Sequence, residues 1–369
     1  MRYRNIQGLR AIAALMVVSA HIPMPTQSAK QFFSLVGGLG VDIFFVISGF
    51  IIYHAMRRSL ASMDIVGRGW AAYAFAMKRF IRIYPLYWIV FGTSSLIMAW
   101  TPPTEAPREP LFQLLALIDN LPNYRVSVAW TLTFEVYFYA VMALSLLLFA
   151  RRAMAGVAIW FAIVGGAVLL GLWFPWGRPL DFVFAPILLD FLLGIAVAML
   201  VDQGFRRFHV ALLAFPLIWM SIGAPLLMPS TFALNVARWG RLAAISRAFA
   251  IHVVCWGMPA AILIYGIVVL EIHQRWIMPR VLQYLGNASF SIYLWHVVVF
   301  NAAAAVFMRL GWVGVVSSTE LTTLMVAIGL GFSLLSYHFL EKPSLRILTR
   351  LIVSRRMSGA PLSVHPAHT

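Results

Sequence analysis

GLRAIAALMVVSAHI, residues 8–22, reads as a membrane helix that carries two ionisable residues, Arg10 and His21. An ionisable group inside a span is costly, so it marks a functional site by default. The spacing sharpens the point. Steps of about 100° bring His21 to within roughly 20° of Arg10 around the helix, and a rise of about 1.5 Å per residue sets them roughly 16 Å apart along it. One polar stripe therefore runs from near one membrane face to well inside the bilayer. The alternative is that Arg10 snorkels to an interface and His21 closes the opposite end.

Working outward, the chain has 369 residues, 62% of them hydrophobic and 11% charged. A soluble domain carries about 25% charge, so the composition is that of an integral membrane protein. The net charge of +16 raises nucleic acid as a partner, but the placement of the charges argues for membrane topology and against nucleic acid. The single cysteine, Cys255, rules out an intrachain disulfide and a cysteine metal cluster, and it reads as a small buried apolar residue. No small-x-small cleavage site follows His21, so the first segment is expected to stay as an anchor.

Apolar runs long enough to span fall near 6–23, 36–54, 83–100, 128–150, 154–173, 183–201, 209–228, 251–270, 288–308 and 319–340. The expected fold is therefore all-α and polytopic, with about ten transmembrane helices and both termini on one side. Placing the termini in the cytoplasm puts 19 of the 28 basic residues on cytoplasmic segments and eight outside, with Arg10 in the membrane, as the positive-inside rule asks. Residues 1–346 are expected to form the membrane domain and 347–369 a cytoplasmic tail, disordered after about 350. Residues 55–82 are expected to be a basic cytoplasmic loop with an amphipathic helix ending in KRFIRIYP, and 101–127 a proline-rich outer loop. In 229–250, Arg238, Arg241 and Arg247 around Trp239 suggest an interfacial helix. The inverted repeats of many transporters are not evident.

Polar residues inside the other spans define candidate sites. Asp42, in GGLGVDIFFVISGFII, lies at about the depth of His21 and either orients that imidazole as a general base or caps its own helix or pairs with an arginine. Glu135, in AWTLTFEVYFYA, is either an acid/base or sugar-hydroxyl acceptor, or a structural partner for Arg10 or another arginine. Tyr293 and His296, at i and i+3 in NASFSIYLWHVVVF, share a helix face; His296 is a second proton carrier or a polar group satisfying a neighbouring helix. Asp190 has no evident partner, and Glu341 and Lys342 in HFLEKP read as an interfacial pair. Lys78, Arg79 and Arg82, with Arg57 and Arg58, suit phosphate groups because arginine donors are planar and forked; topology alone would also place positive charge there. No P-loop, metal-binding His/Asp spacing or GxSxG elbow occurs.

Taken together, these residues resemble the acyltransferase-3 family of membrane O-acyltransferases. The resemblance is collinear from Gly8 to Pro343. The family's arginine–ten residues–histidine pattern matches Arg10 and His21, and GVDxFFVISGF matches GVDIFFVISGF. Its RxxRIxPxY motif falls on Arg79, Arg82, Pro85 and Tyr87, its ExxFY helix resembles FEVYFY at Glu135, and SYxxYLxH resembles SFSIYLWH at His296. The terminal ExP matches Glu341 and Pro343. The sequence departs at Phe290, often Tyr in the family, at Thr131, often Ser, and at Val298, often Pro.

The resemblance implies an enzyme of the bacterial cytoplasmic (inner) membrane that moves an acyl group, usually acetyl, from cytoplasmic acyl-CoA to a carbohydrate hydroxyl at or beyond the outer face. It is most similar to the exopolysaccharide type. The expected site has His21, Asp42 and Glu135 as catalytic residues, Arg10, Arg79 and Arg82 binding acetyl-CoA, and Tyr293 and His296 touching the substrate. No metal and no permanently bound cofactor is expected; acetyl-CoA is a co-substrate. The partners are acyl-CoA, a free or lipid-linked carbohydrate and membrane lipids. His21 either deprotonates the sugar hydroxyl or is itself acylated and relays the group outward. The competing class is a transporter or flippase of a lipid-linked glycan that performs no acyl transfer; an acyltransferase for a small cytoplasmic metabolite is a third reading.

Overall fold

A computed structural model describes residues 3–23, 26–100, 110–118, 125–171, 174, 176–177, 179–207, 209–219, 253–313 and 315–358. Among these residues the regular structure is helical, apart from one isolated bridge between Val313 and Val316. In chain order the helices are α1 (Arg4–Ala20), α2 (Gln27–Val66), α3 (Arg68–Trp100), α4 (Leu111–Ala116), α5 (Trp130–Phe149), α6 (Ala153–Gly171), α7 (Leu180–Val183), α8 (Leu188–Asp202), α9 (His209–Ile218), α10 (Met258–Ile272), α11 (Arg280–Asn287), α12 (Ser289–Arg309), α13 (Ser318–Ser336) and α14 (Lys342–Ser358). Among the described residues, 7 stretches are long and apolar enough to cross a membrane, and one of them, Ser127–Gly171, contains both α5 and α6. The chain is a multi-pass membrane protein. Leu144, Leu148, Ile159, Ile163, Phe332 and Leu335 are exposed on the bundle, a surface that suits lipid better than water.

Two expectations are corrected. The expected helix ending in KRFIRIYP is the start of α3, but the rest of 55–82 is no loop: α2 continues to Val66, the chain turns at Gly67 and α3 begins at Arg68. Nothing between His54 and Val66 breaks a helix, since the segment has neither glycine nor proline. Gly67 takes φ 77°, which glycine adopts without a Cβ penalty. The 40 residues of α2 extend about 60 Å at 1.5 Å per residue, twice a hydrocarbon core of about 30 Å. The tail expected from 347 is also helical at first, because α14 runs to Ser358. The interfacial segment 229–250 lies outside the described residues, as do parts of 101–127.

Helix α1 sits among α2, α10, α11 and α12, and its start is fixed by side chains from elsewhere. The Glu271 carboxylate accepts from the backbone N–H of Arg4 and of Asn5, both at 2.7 Å. Such first-turn donors have no partner within their own helix, and an anion there also meets the positive end of the helix dipole. The Asn5 amide donates to the carbonyls of Ile267 and Trp276 and accepts from Met278 N–H. These bonds set the depth of α1, and with it the heights of Arg10 and His21.

The α2–α8 crossing is reciprocal. A Cβ at Gly49 would lie 2.0 Å from the Phe191 carbonyl oxygen, and one at Gly194 would lie 2.0 Å from that of Val46. The backbones meet there without side chains between them, as small residues permit in membranes. Helix α4 is held at its last carbonyls: Tyr87, Trp88 and Tyr84 donate to Leu114, Leu115 and Ala116 respectively. Tyr87 of the RIYPLY stretch is therefore a fastening for α4.

Gly194→Ala places a methyl against backbone that has no room to yield. The expected loss is about 1–3 kcal/mol or more, read as a lower unfolding midpoint of the detergent-solubilised protein. An unchanged midpoint would mean that α2 and α8 are not in this contact.

Candidate functional site

Three arginines meet at one cavity. Arg10 of α1 and Arg79 and Arg82 of α3 line it with Ser48, Thr131, Glu135, Tyr139, Ser289 and Tyr293. Its free volume is ≈ 60 Å³, room for about two waters at liquid density. Arg10 is 8% exposed, and its Nη1 donates to Gln7 Oε1 at 3.2 Å. The Arg79 guanidinium lies over the rings of Phe75 and Tyr139, 5.5 and 5.7 Å from their centroids. Its buried Nε has no hydrogen-bond partner among the described residues.

The acidic groups nearby are already engaged. Glu135 accepts from Ser48 at 3.3 Å and from Tyr139. Glu341 accepts from Ser291 N–H and Oγ–H at 3.2 and 2.6 Å, tying a π-turn at Tyr337–Glu341 to the first turn of α12. Both carboxyl groups are electrostatic neighbours of Arg10. The ion pairs among the described residues are Arg57–Asp202 and Arg151–Asp64, so none of the three cavity arginines is in one. Three cations against two carboxylates leave a surplus of positive charge. A buried charge is costly unless it is paired, so the cavity is suited to an anion.

The His21 end of the polar stripe opens on a second space. His21, Ser34, Gly37, Gly38, Val41, Asp42, Val128, Trp130 and Tyr293 line a vestibule of ≈ 320 Å³. His21 Nδ1 lies 2.9 Å from the Val17 carbonyl oxygen and 3.3 Å from Nε2 of His296. His296 is 1% exposed, and its own Nδ1 is 3.0 Å from the Ile292 carbonyl. A carbonyl oxygen only accepts, so each Nδ1 carries the proton. This network leaves His296 Nε2 with a lone pair that faces His21, and His21 Nε2 with its lone pair directed elsewhere.

The structure brings the expected residues into two groups. Arg10, Arg79, Arg82 and Glu135 share the arginine cavity, while His21 and Asp42 share the vestibule. Tyr293 borders both. Glu135 thus belongs with the arginines and not with His21. The hydrogen bonds of the His21 ring are to Val17 and His296, not to Asp42. The Asp42 carboxyl instead faces that of Asp190 from α8. The helix packing explains why. A Cβ at Gly37 would touch Ala20, whereas one at Gly40 would meet the Ala13 carbonyl, so Asp42 lies well over a turn below His21.

Two groups were missed. Glu341, read as an interfacial partner of Lys342, is 7% exposed and bonded to Ser291. Its signal was a carboxylate at the end of an apolar run, opposite the serine-rich start of α12. The partner of Asp190, 148 positions away along the chain, is not legible at that distance.

Comparison with known proteins identifies the family. An acyltransferase domain model matches residues 3–338. The chain is 27% identical over 323 residues to the exopolysaccharide production protein ExoZ of Rhizobium meliloti (strain 1021), covering 84% of this chain and 90% of that one. It is 25% identical to the acyltransferase MdmB of Streptomyces mycarofaciens, covering 95% of this chain and 93% of that one. It is 27% identical to the putative membrane-bound transacylase BcsY of Komagataeibacter xylinus, covering 98% and 88%. No solved structure matches. With the family model spanning nearly all of the helical bundle, this chain belongs to the acyltransferase-3 family and is a membrane acyltransferase.

Proposed function

We propose that the enzyme is an O-acetyltransferase that takes its acyl group from cytoplasmic acyl-CoA and delivers it to a hydroxyl of a cell-surface or exported carbohydrate. The observation that carries this reading is the surplus of arginine around a cavity, Arg10 buried and Arg79 and Arg82 half-buried, that shares the wall residues Val41 and Tyr293 with the His21 vestibule. Phosphates supply the missing anions, which the planar, forked donors of arginine suit. The cavity is too small for a nucleotide, so the nucleotide stays at the arginine mouth and the pantetheine arm extends along the Arg10–His21 stripe. A relative named for exopolysaccharide production supports a carbohydrate acceptor.

In this mechanism His21 Nε2 takes the proton of the acceptor hydroxyl. The oxygen attacks the thioester carbonyl, the carbon–sulfur bond breaks, and the departing thiolate recovers the proton from His21. His296 Nε2 accepts the His21 Nδ1 proton throughout, holding the tautomer and favouring the imidazolium as it forms. His296 is a positioning residue here. Asp42 lines the acceptor side, and Glu135 and Glu341 offset part of the arginine charge without pairing with it directly. We further infer ten spans with both termini cytoplasmic, residues 1–346 as the membrane domain, and insertion in the bacterial inner membrane. The basic-residue asymmetry supports this orientation.

Three outcomes are expected of the purified protein given acetyl-CoA and an extract of cell-surface glycan. His21→Ala loses glycan-dependent release of CoA thiol by about 10²–10⁴-fold while remaining folded; a normal rate would remove His21 from the chemistry. His296→Ala lowers kcat without changing acetyl-CoA affinity, whereas an equal loss of affinity would make its role architectural. Arg79→Ala weakens acetyl-CoA binding, and more so for the coenzyme than for its dephosphorylated pantetheine fragment. Acetyl-CoA that neither binds nor reacts with wild type would favour a glycan flippase.

A further inference from the structure

The arginine cavity and the vestibule share only two wall residues, Val41 of α2 and Tyr293 of α12. Tyr293 is 6% exposed, with its ring against Phe44 at 5.9 Å between centroids. Its hydroxyl lies 2.6 Å from Thr131 Oγ1 and 3.0 Å from the Val128 carbonyl oxygen, and Thr131 Oγ1 is itself 3.0 Å from that carbonyl. Two hydroxyl protons and three oxygens thus form a closed set. The phenol spends its one proton inside the clasp, and none is left to hold a substrate. Thr131 faces the cavity and Val128 the vestibule, so the clasp stands on the boundary itself.

We propose that Tyr293 is the partition between the donor cavity and the acceptor vestibule, and that its clasp with Thr131 and Val128 keeps vestibule water from the thioester. This rests on the acyl-CoA reading above. His21 is exposed at the vestibule, so water reaches the base as readily as a sugar hydroxyl does. Water is far more abundant, and with nothing between it and the donor it would win. Attack by water breaks the carbon–sulfur bond to give free acid and CoA thiol, with no acceptor modified. Excluding water until the acceptor is seated is how closed sites suppress such side reactions. Opening needs only a side-chain rotation of Tyr293 that breaks two hydrogen bonds.

The test is release of CoA thiol from acetyl-CoA alone, and again with cell-surface glycan extract, by wild type, Tyr293→Phe, Tyr293→Ala and Thr131→Val. Wild type is expected to release thiol mainly with glycan and only slowly without it. Tyr293→Ala should raise glycan-independent release about tenfold, as water gains the donor, with Tyr293→Phe and Thr131→Val moving the same way by less. A damaged fold lowers activity and cannot produce a gain in hydrolysis. If Tyr293→Ala does not fold, the two milder variants decide, since each keeps the side-chain volume and removes one clasp hydroxyl. Glycan-dependent wild type with no added leak in any folded variant overturns the partition and leaves the acyl-CoA reading standing. Wild type that neither binds nor consumes acetyl-CoA overturns both.

Discussion

Charge buried inside a helical bundle must be answered by opposite charge, by hydrogen bonds or by a ligand, and much of this structure follows from that requirement. Arg10, Arg79 and Arg82 are brought to one cavity whose two acidic neighbours are themselves occupied: Glu135 with Ser48 and Tyr139, Glu341 with Ser291. Neither carboxylate closes a direct ion pair with the arginines. The cations are held close enough to share one guest and are left electrically incomplete without it. A bundle selected for stability alone would have placed apolar side chains here, since well-packed apolar groups often match or exceed a buried ionic cluster.

The helices around the cavity are arranged so that this arrangement does not drift. Glu271 and Asn5 fix where α1 begins, and the α2–α8 crossing leaves no gap for sliding. The aromatic residues of α3 bind the end of α4. Each contact joins elements distant in sequence, so that residues on α1, α2, α3, α5 and α12 face one another at a fixed depth.

How much of this was legible in the sequence depended on the range of the interaction. The Arg10–His21 stripe follows from the pitch of one helix, and the helical class follows from uninterrupted apolar runs. In 55–82 the helix running into KRFIRIYP is legible, whereas the extension of α2 to Val66 follows only from the lack of helix breakers, which the charge of the segment masks. The His21–His296 contact joins positions 275 residues apart, and periodicity says nothing about which helices become neighbours. Asp42 was matched to His21 by estimated depth. Depth estimates carry errors of a turn, and the stagger set by Gly37 and Gly40 is about that large. Glu341 escaped because the π-turn that carries it has no signature that composition reveals.

That π-turn imposes a constraint of counting. One extra residue in the turn, relative to an ordinary helix, rotates everything after Tyr337 against everything before it. It lets α13 keep Ser333 and Ser336 buried while Glu341 still reaches Ser291. Side chains along this stretch can vary widely in size and still preserve that phase. Loss or gain of a single residue cannot, because it would swing the carboxylate about 100° around the axis and away from the start of α12. The length of the segment between Ser336 and Pro343 is therefore under tighter physical constraint than most of its letters.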